Sequence, residues 1–178
     1  MLHRERVNIV VDDRTIAAGD LGAILDPIWW SGEIHHGPVV YEESLQPFSR
    51  SQRYIFAMQW YSSEVCNGGH HQFYSNPTAV VWRDALAGLD AMGIPEAGNI
   101  LRLSAERMGG SPSLDRAERQ DQLKDRQISF EDCDEALYAL KKRIDFGQKM
   151  IDFIRQHPSD FYFSGTIERP VLPNLRAK

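Results

Sequence analysis

The sequence predicts an all-α protein, a compact multi-helix domain in which a double-glycine loop lies between central helices. Three observations favour this class. Apolar residues recur at helical spacing through most of the chain after residue 50. Capping residues precede several of these runs, and glycine pairs or prolines follow them. Helices with one apolar face bury it against their neighbours, so we expect them to stack as a bundle.

The first 46 residues are less regular. The run Val7–Val11 is typical of a short strand or of an N-terminal arm packed by its apolar side chains, and both interpretations stay open. Residues 21–30 predict a short helix, and Gly32, Gly37 and Pro38 predict a loop after it. We therefore divide the chain into an N-terminal arm (1–19), a helical domain (20–165) and a C-terminal tail (166–178).

An aromatic-rich central helix begins at residue 50. Ser49 and Gln52, three positions later, form a capping-box pattern before an apolar run that reaches Val65. Gly68 and Gly69 are expected to end this helix, because glycine accepts the left-handed backbone found at helix ends.

Further helices are expected after the double glycine. Pro95 suits a first helical turn, and Ser129 is the type of residue that caps a helix N-terminus. Gly147 marks a position where the last pattern could break, and Pro158 ends it. The expected helical segments are 78–92, 95–108, 115–127 and 130–156.

The composition excludes several classes of function. The 178 residues carry 25 acids and 20 bases, a net charge of −5, which argues against direct binding to nucleic acid. The longest uncharged stretch, 65–82, contains amides, histidines, glycines and a proline, so it does not predict a membrane span. The N-terminus has no apolar core of the kind that signal peptides contain, so we expect a cytoplasmic protein. Cys66 and Cys133 are most simply free thiols.

The charge is distributed unevenly. Two acidic blocks, 1–48 with a charge of −5 and 109–135 with a charge of −4, flank a neutral centre. Such asymmetry is typical of a partner surface, although a well-solvated surface explains it too. Four bases lie within the second block and are expected to neutralise part of its charge through i, i+4 pairs: Arg116, Arg119, Lys124 and Arg126. The carboxylates that we take as a candidate acidic partner surface are Asp115, Glu118, Asp121, Asp125, Glu131 and Asp132.

The most unusual stretch surrounds the double glycine, where polar side chains with specific hydrogen-bonding ability are concentrated. We interpret Glu64, Asn67, Gln72 and Asn76 as a hydrogen-bonded plug that fixes this loop. The alternative is a small-molecule or metal-dependent site, since Glu64, His70 and His71 are residue types that bind metals. Adjacent histidines diverge on regular backbone, and no two-ligand helix spacing is present. We therefore expect neither a metal nor a cofactor.

Two neighbouring tryptophans, Trp29 and Trp30, also draw attention. Adjacent helix positions cannot both face one core. One of the two rings is therefore expected to cover a pocket or a dimer contact.

The double-glycine stretch resembles a known family. The motif Glu64, Val65, Asn67, Gly68, Gly69, His71, Gln72, Phe73 and Asn76, preceded by an aromatic-rich helix, is similar to the signature of the C-terminal domain of bacterial DNA-mimic proteins. The similarity continues through Pro112, Asp115 and Arg119 and covers roughly residues 20–165. Cys66 and His70 depart from it, since asparagine and an aromatic residue are expected there.

The resemblance implies an all-α domain without known catalytic activity. Members of the family present surface carboxylates in place of DNA phosphates to a DNA-binding protein. We therefore expect a non-enzymatic protein-binding domain whose partner is a DNA-binding protein, without direct nucleic-acid or membrane contact, and we leave a homodimer open.

Overall fold

A computed structural model describes residues 4–126 and 128–171. Within these ranges the chain is mostly α-helical, with one two-stranded antiparallel sheet, and the predicted fold class is confirmed. The elements are β1 (Arg4–Val11), α1 (Asp13–Ala18), α2 (Leu21–Ser31), α3 (Pro38–Leu45), α4 (Arg50–Ser75), a 3-10 helix (Pro77–Val81), α5 (Trp82–Ala91), α6 (Pro95–Arg107), α7 (Arg116–Arg126), α8 (Glu131–Arg143), α9 (Phe146–Gln156), a second 3-10 helix (Pro158–Phe161) and β2 (Phe163–Pro170).

Helix α4 is the centre of the bundle. The capping box is present, because Ser49 accepts the Gln52 N–H while the Gln52 side chain accepts the Ser49 N–H. Its side chains are buried on more than one face, where α2, α5, α7 and α8 pack against it. A helix surrounded in this way loses most of its apolar surface to the core, which agrees with its aromatic-rich sequence.

The interruption of α4 is shorter than the predicted loop. Gly68 (φ −162°) and Gly69 (φ +74°) leave helical geometry, but the chain resumes as a helix that continues to Ser75. The segment 70–75 is therefore helical, and the double glycine forms a kink between two parts of α4. At Gly69 the positive φ favours glycine, because a side chain would clash with the backbone there.

The two chain ends pair with each other. β1 and β2 form an antiparallel ribbon with Arg4 opposite Pro170 and Val11 opposite Phe163. On the inner face of the ribbon Val11 and Ile167 are buried and the other residues are half-buried, and the ribbon packs on α2. The structure thus shows a strand at the N-terminal arm, and it places a second strand where a C-terminal tail was expected. Residues 172–178 of that tail lie outside the described ranges.

Three further boundaries differ from the sequence-based expectation. The expected loop after Gly37 contains α3, which begins at Pro38 because proline suits the first turn. The helix expected from residue 78 begins as a 3-10 helix at Pro77. The long last helix breaks at Ile144 rather than at Gly147, and Asp145 caps α9 by accepting the Gln148 N–H. The expected end of α7 at residue 127 lies outside the described residues.

No helix in the described part of the chain is long and apolar enough to cross a membrane.

Candidate functional site

Three side chains of the family motif meet across the kink. Glu64 is buried in the last full turn before the glycines, and its Oε2 accepts hydrogen bonds from Gln72 Nε2 (2.8 Å) and Asn76 Nδ2 (2.9 Å). Both donors come from the second part of α4 or its C-terminus. A single buried carboxylate therefore joins the two parts of the kinked helix through charge-assisted hydrogen bonds.

The other motif residues have different surroundings. Asn67 lies on the exposed side of α4, and its side chain makes no hydrogen bond within the described residues, so the structure does not bring it to Glu64. His71 is exposed as well. Val65 and Phe73 are fully buried, and Phe73 packs edge-on against Tyr61 with ring centroids 5.2 Å apart.

A second polar cluster lies on the other side of the kink. His70 of α4 is fully buried where this helix packs against α8, and its Nδ1 lies 2.5 Å from Asp134 Oδ1. The backbone N–H of His70 donates to the same oxygen at 2.8 Å, and its Nε2 lies 2.9 Å from the Tyr61 hydroxyl. This chain of contacts, which we call the Tyr61–His70–Asp134 chain, ties the kink to α8.

The protonation of this chain follows from its geometry. Burial raises the pKa of Tyr61 well above its ordinary value, so the phenol keeps its proton. Burial lowers the pKa of His70, although the hydrogen bond that the ring donates to Asp134 opposes this shift. A neutral His70 donates a hydrogen bond from Nδ1 to Asp134 and accepts one from the Tyr61 hydroxyl at Nε2, which satisfies both ring nitrogens.

Arg119 of α7 is also fully buried, where a surface base was expected. Its guanidinium donates to the carbonyl oxygens of Tyr74 (2.8 Å), Asn76 (2.7 Å) and Ser113 (2.6 Å), and more distantly to those of Leu114 and Asp115. The Tyr74 carbonyl group at the end of α4 has no helical partner of its own, so Arg119 satisfies it, and the Asn76 carbonyl group otherwise accepts only a long bond of 3.4 Å from the Ala79 N–H. Burial lowers the pKa of Arg119 to about 10, which still leaves it charged at neutral pH.

The burial of Arg119 changes the charge of the α7 surface. Each helical residue turns the chain by about 100°, which places Glu118, Asp121 and Asp125 opposite the buried face formed by Arg119 and Leu123. All three carboxylates belong to exposed residues. With Arg119 buried, α7 exposes three acids and three bases. Helical spacing places Arg116 and Arg126 away from the three carboxylates and Lys124 beside Asp121, so this side of α7 is acidic although the helix as a whole is not.

The other carboxylates of the candidate acidic partner surface already interact with neighbouring groups or with a helix dipole. Asp115 accepts the N–H groups of Ala117 and Glu118 and so caps α7. Asp132 makes two hydrogen bonds to Arg107, which lower its pKa to about 2. Glu131 is exposed at the start of α8, where the helix dipole stabilises a carboxylate.

Two of the three carboxylates on the outer side of α7 have contacts with neighbouring side chains. Asp121 lies 3.6 Å from Lys124, and both side chains are about three-quarters exposed. Glu118 accepts a hydrogen bond from the Ser113 hydroxyl. An exposed ion pair of this kind contributes little to the stability of the fold, so breaking it when a charged partner binds costs little free energy.

The acidic block at the N-terminus is mostly engaged in local contacts. Several of its carboxylates cap helices or loops, and others pair with arginine or tyrosine. The contacts join Asp12 to Thr15, Asp13 to Tyr162, Asp20 to Ala23, Asp26 to Trp30, Glu33 to His35 and Glu42 to Arg53. These roles leave Glu43 as the block's exposed member whose side chain has no hydrogen bond or ion pair among the described residues.

Sequence reasoning missed the roles of Tyr61, Asp134 and Arg119. Asp134 was counted with the acids of the second block, yet it faces inwards. Nothing in the local pattern reveals this, because its partner His70 is 64 positions away. Within the described ranges, no group of three His, Cys, Asp or Glu side chains could hold a metal ion.

These features define an α-helical domain that is organised around a kinked central helix, which polar contacts fix from both sides. Residues 46–157 match the family described as DMP19-like protein, which is more than half of the chain. The chain therefore belongs to the DMP19-like protein family, and the resemblance to DNA-mimic proteins is confirmed. No curated protein and no solved structure matched the chain.

Proposed function

We propose that this protein is a non-enzymatic binding domain that presents carboxylates to a DNA-binding protein in place of DNA phosphates. Membership of the DMP19-like family supports a DNA-mimic role in general. The observation that carries the proposal for this chain is the acidic outer face of α7, formed by Glu118, Asp121 and Asp125.

The spacing of these side chains supports the proposal. With a rise of about 1.5 Å per residue, the three carboxylates follow one another at about 4.5 and 6 Å along the helix axis. One strand of duplex DNA carries a phosphate about every 3.4 Å along its axis. The face therefore offers a row of negative charges on a scale comparable to a few successive phosphates. Such a row attracts a basic surface and orients it.

We propose Asp115, Glu131 and Asp132 as flanking members of the same partner surface. Asp132 is the weakest of them, because Arg107 already neutralises it. A basic partner could compete for this exposed ion pair, since such pairs contribute little to folding.

A pull-down with matched variants tests the proposal. The immobilised protein is expected to capture a DNA-binding protein that elutes with rising salt and with duplex DNA. The triple variant Glu118→Gln, Asp121→Asn, Asp125→Asn removes the charges at nearly constant shape, and we expect it to lose the captured protein. Asp115 is left intact because it caps α7.

The control variant carries the same charge change elsewhere. Glu43→Gln, Glu106→Gln, Asp152→Asn alters three exposed acids outside the proposed surface and should bind as the wild type does. Equal binding by both triple variants would exclude the α7 face as the site. Binding that neither salt nor DNA weakens would exclude mimicry.

A further inference from the structure

A groove runs between α2, α4 and the turn that joins α8 to α9, away from the acidic face of α7. It consists of two adjoining cavities of about 530 and 330 Å³. Leu21 and Gln59 line both cavities, so the two adjoin at these side chains. Cavities of this size are typical of sites for small organic molecules.

The larger cavity has a cationic wall at the end of α8. Lys141 Nζ donates to Ser62 Oγ at 2.5 Å and to Cys66 Sγ at 3.0 Å, and it lies 5.5 Å from the centre of the Phe146 ring. These contacts hold the ammonium group in place without supplying a carboxylate. Lys141 is thus a positioned positive charge at the wall of the cavity.

Lys142, which is exposed, adds a second positive charge to the lining of the larger cavity. Neither lysine belongs to an ion pair in the part of the chain that the structure describes, whereas their neighbour Arg143 pairs with Glu96 at 2.9 Å. The C-terminal dipole of α8 favours these bases, but it does not neutralise them. The larger cavity therefore has an excess of positive charge that an anion would complement.

The two carboxylates that line the groove, Asp145 and Asp26, already interact with groups other than the lysines. Asp145 caps α9 and accepts the Gln148 N–H at 3.0 Å. Asp26, in the smaller cavity, accepts the Trp30 indole N–H at 2.8 Å and lies 3.5 Å from Arg169. Neither carboxylate contacts the two lysines, so the excess charge remains.

The smaller cavity has an aromatic wall. Trp29 and Trp30 line it, and both are partly exposed. The Trp29 ring stacks on Trp60 with centroids 4.9 Å apart, and the bond to Asp26 fixes the Trp30 ring. Rigid aromatic walls favour flat apolar ligands, because little side-chain entropy is lost when they bind.

We infer that this groove binds a small aromatic anion, a molecule with a flat apolar body and one acidic group. The acidic group lies at Lys141 and Lys142, and the ring system lies against Trp29 and Trp30. The inference does not depend on the proposed mimicry, which uses the carboxylates of α7.

Binding of a defined probe tests this inference. We choose 8-anilinonaphthalene-1-sulfonate as the aromatic anion, the neutral N-phenyl-1-naphthylamine as its uncharged counterpart, and inorganic phosphate as an anion without a ring. Affinities are measured by calorimetry and by quenching of tryptophan fluorescence. We expect the aromatic anion to bind at least about tenfold more tightly than either the neutral amine or inorganic phosphate. Equal affinity for the neutral compound would overturn the inference, as would the absence of binding.

Matched variants locate the site. The double variant Lys141→Met, Lys142→Met should weaken binding by about tenfold, whereas Lys124→Met, Lys149→Met, with the same charge change outside the groove, should not. Lys142→Met alone provides the same test without disturbing the contacts of Lys141 to α4. Equal affinities for the two double variants would show that the probe binds elsewhere.

Gln59 gives an independent check at the point where the cavities join. Gln59→Glu adds a negative charge at nearly constant shape and should weaken binding of the anionic probe by about tenfold. Gln59→Met removes the polar group without adding charge and should retain binding. Unchanged affinity in Gln59→Glu would contradict the position of the ligand in the groove.

Discussion

The carboxylate of Asp134 occupies the space into which a side chain on Gly69 would project. The same carboxylate accepts two hydrogen bonds from His70, the next residue along α4. The close approach of α8 to the kink and the left-handed backbone at Gly69 (φ +74°) therefore each disfavour a side chain at this position. Glycine is required at this position for both reasons.

Gly69→Ala is expected to lower the free energy of unfolding by roughly 2–4 kcal/mol, because it combines backbone strain with a clash against Asp134. Urea unfolding measures this change. Gly93→Ala is the matched control, since Gly93 has φ +66° and open space around its Cβ position. It should lose only about 1 kcal/mol. Similar losses in both variants would show that Asp134 imposes no steric limit at Gly69.

The Tyr61–His70–Asp134 chain predicts that stability depends on pH. Burial lowers the pKa of His70 below its ordinary value of 6.5, so the folded protein disfavours the protonated ring. His70 thus contributes stability that is fully present above about pH 6.5 and is lost as the pH falls below it, because the unfolded chain takes up the proton first.

Urea unfolding at a series of pH values between 8 and 5 measures this dependence. His70→Gln should be less stable than the wild type at pH 8, and its stability should fall less steeply below pH 6.5. His71→Gln, which changes an exposed histidine, should follow the wild-type curve. Parallel curves for the wild type and His70→Gln would contradict the assignment of a lowered pKa to His70.

The sequence was sufficient to predict most of the helices, because their signals lie within one segment, but it did not predict α1 and it predicted a loop where α3 lies. The capping box at Ser49 and Gln52 fixed the start of α4, and the apolar spacing fixed its buried faces. β2 could not be predicted in this way. Its strand exists because it pairs with β1, more than 150 positions away, and no local pattern records that pairing.

The site was predictable in part for the same reason. Gln72 and Asn76 lie within 12 positions of Glu64, so an interpretation based on one short motif could bring them together. Arg119 and Asp134 act on α4 from other helices. Their charges looked like surface charges in the sequence, and only the packing of α7 and α8 shows that both face inwards.

Gln72→Ala is expected to lower the free energy of unfolding by roughly 1–3 kcal/mol, since it leaves the buried carboxylate of Glu64 with one donor fewer. Thermal and urea unfolding measure the loss. Asn67→Ala changes a motif residue whose side chain is exposed, and it should alter stability by no more than about 0.5 kcal/mol. Equal losses from the two substitutions would mean that the contact with Glu64 does not stabilise the kink.

Arg119→Lys should destabilise the protein although it keeps the positive charge. The guanidinium reaches carbonyl groups of Tyr74, Asn76 and Ser113 in different directions, which the single ammonium group of lysine cannot do. We expect a loss of about 3 kcal/mol, because carbonyl groups at the end of α4 become buried without partners.

Arg116→Lys is the control for this substitution. Arg116 lies on the same helix, is exposed and makes one hydrogen bond, to the Ser75 carbonyl oxygen. Its replacement should change the free energy of urea unfolding by no more than about 0.5 kcal/mol. An equally small change in Arg119→Lys would show that a positive charge alone is sufficient at this position. The hydrogen bonds of the guanidinium would then not be what stabilises the packing of α7 against the end of α4.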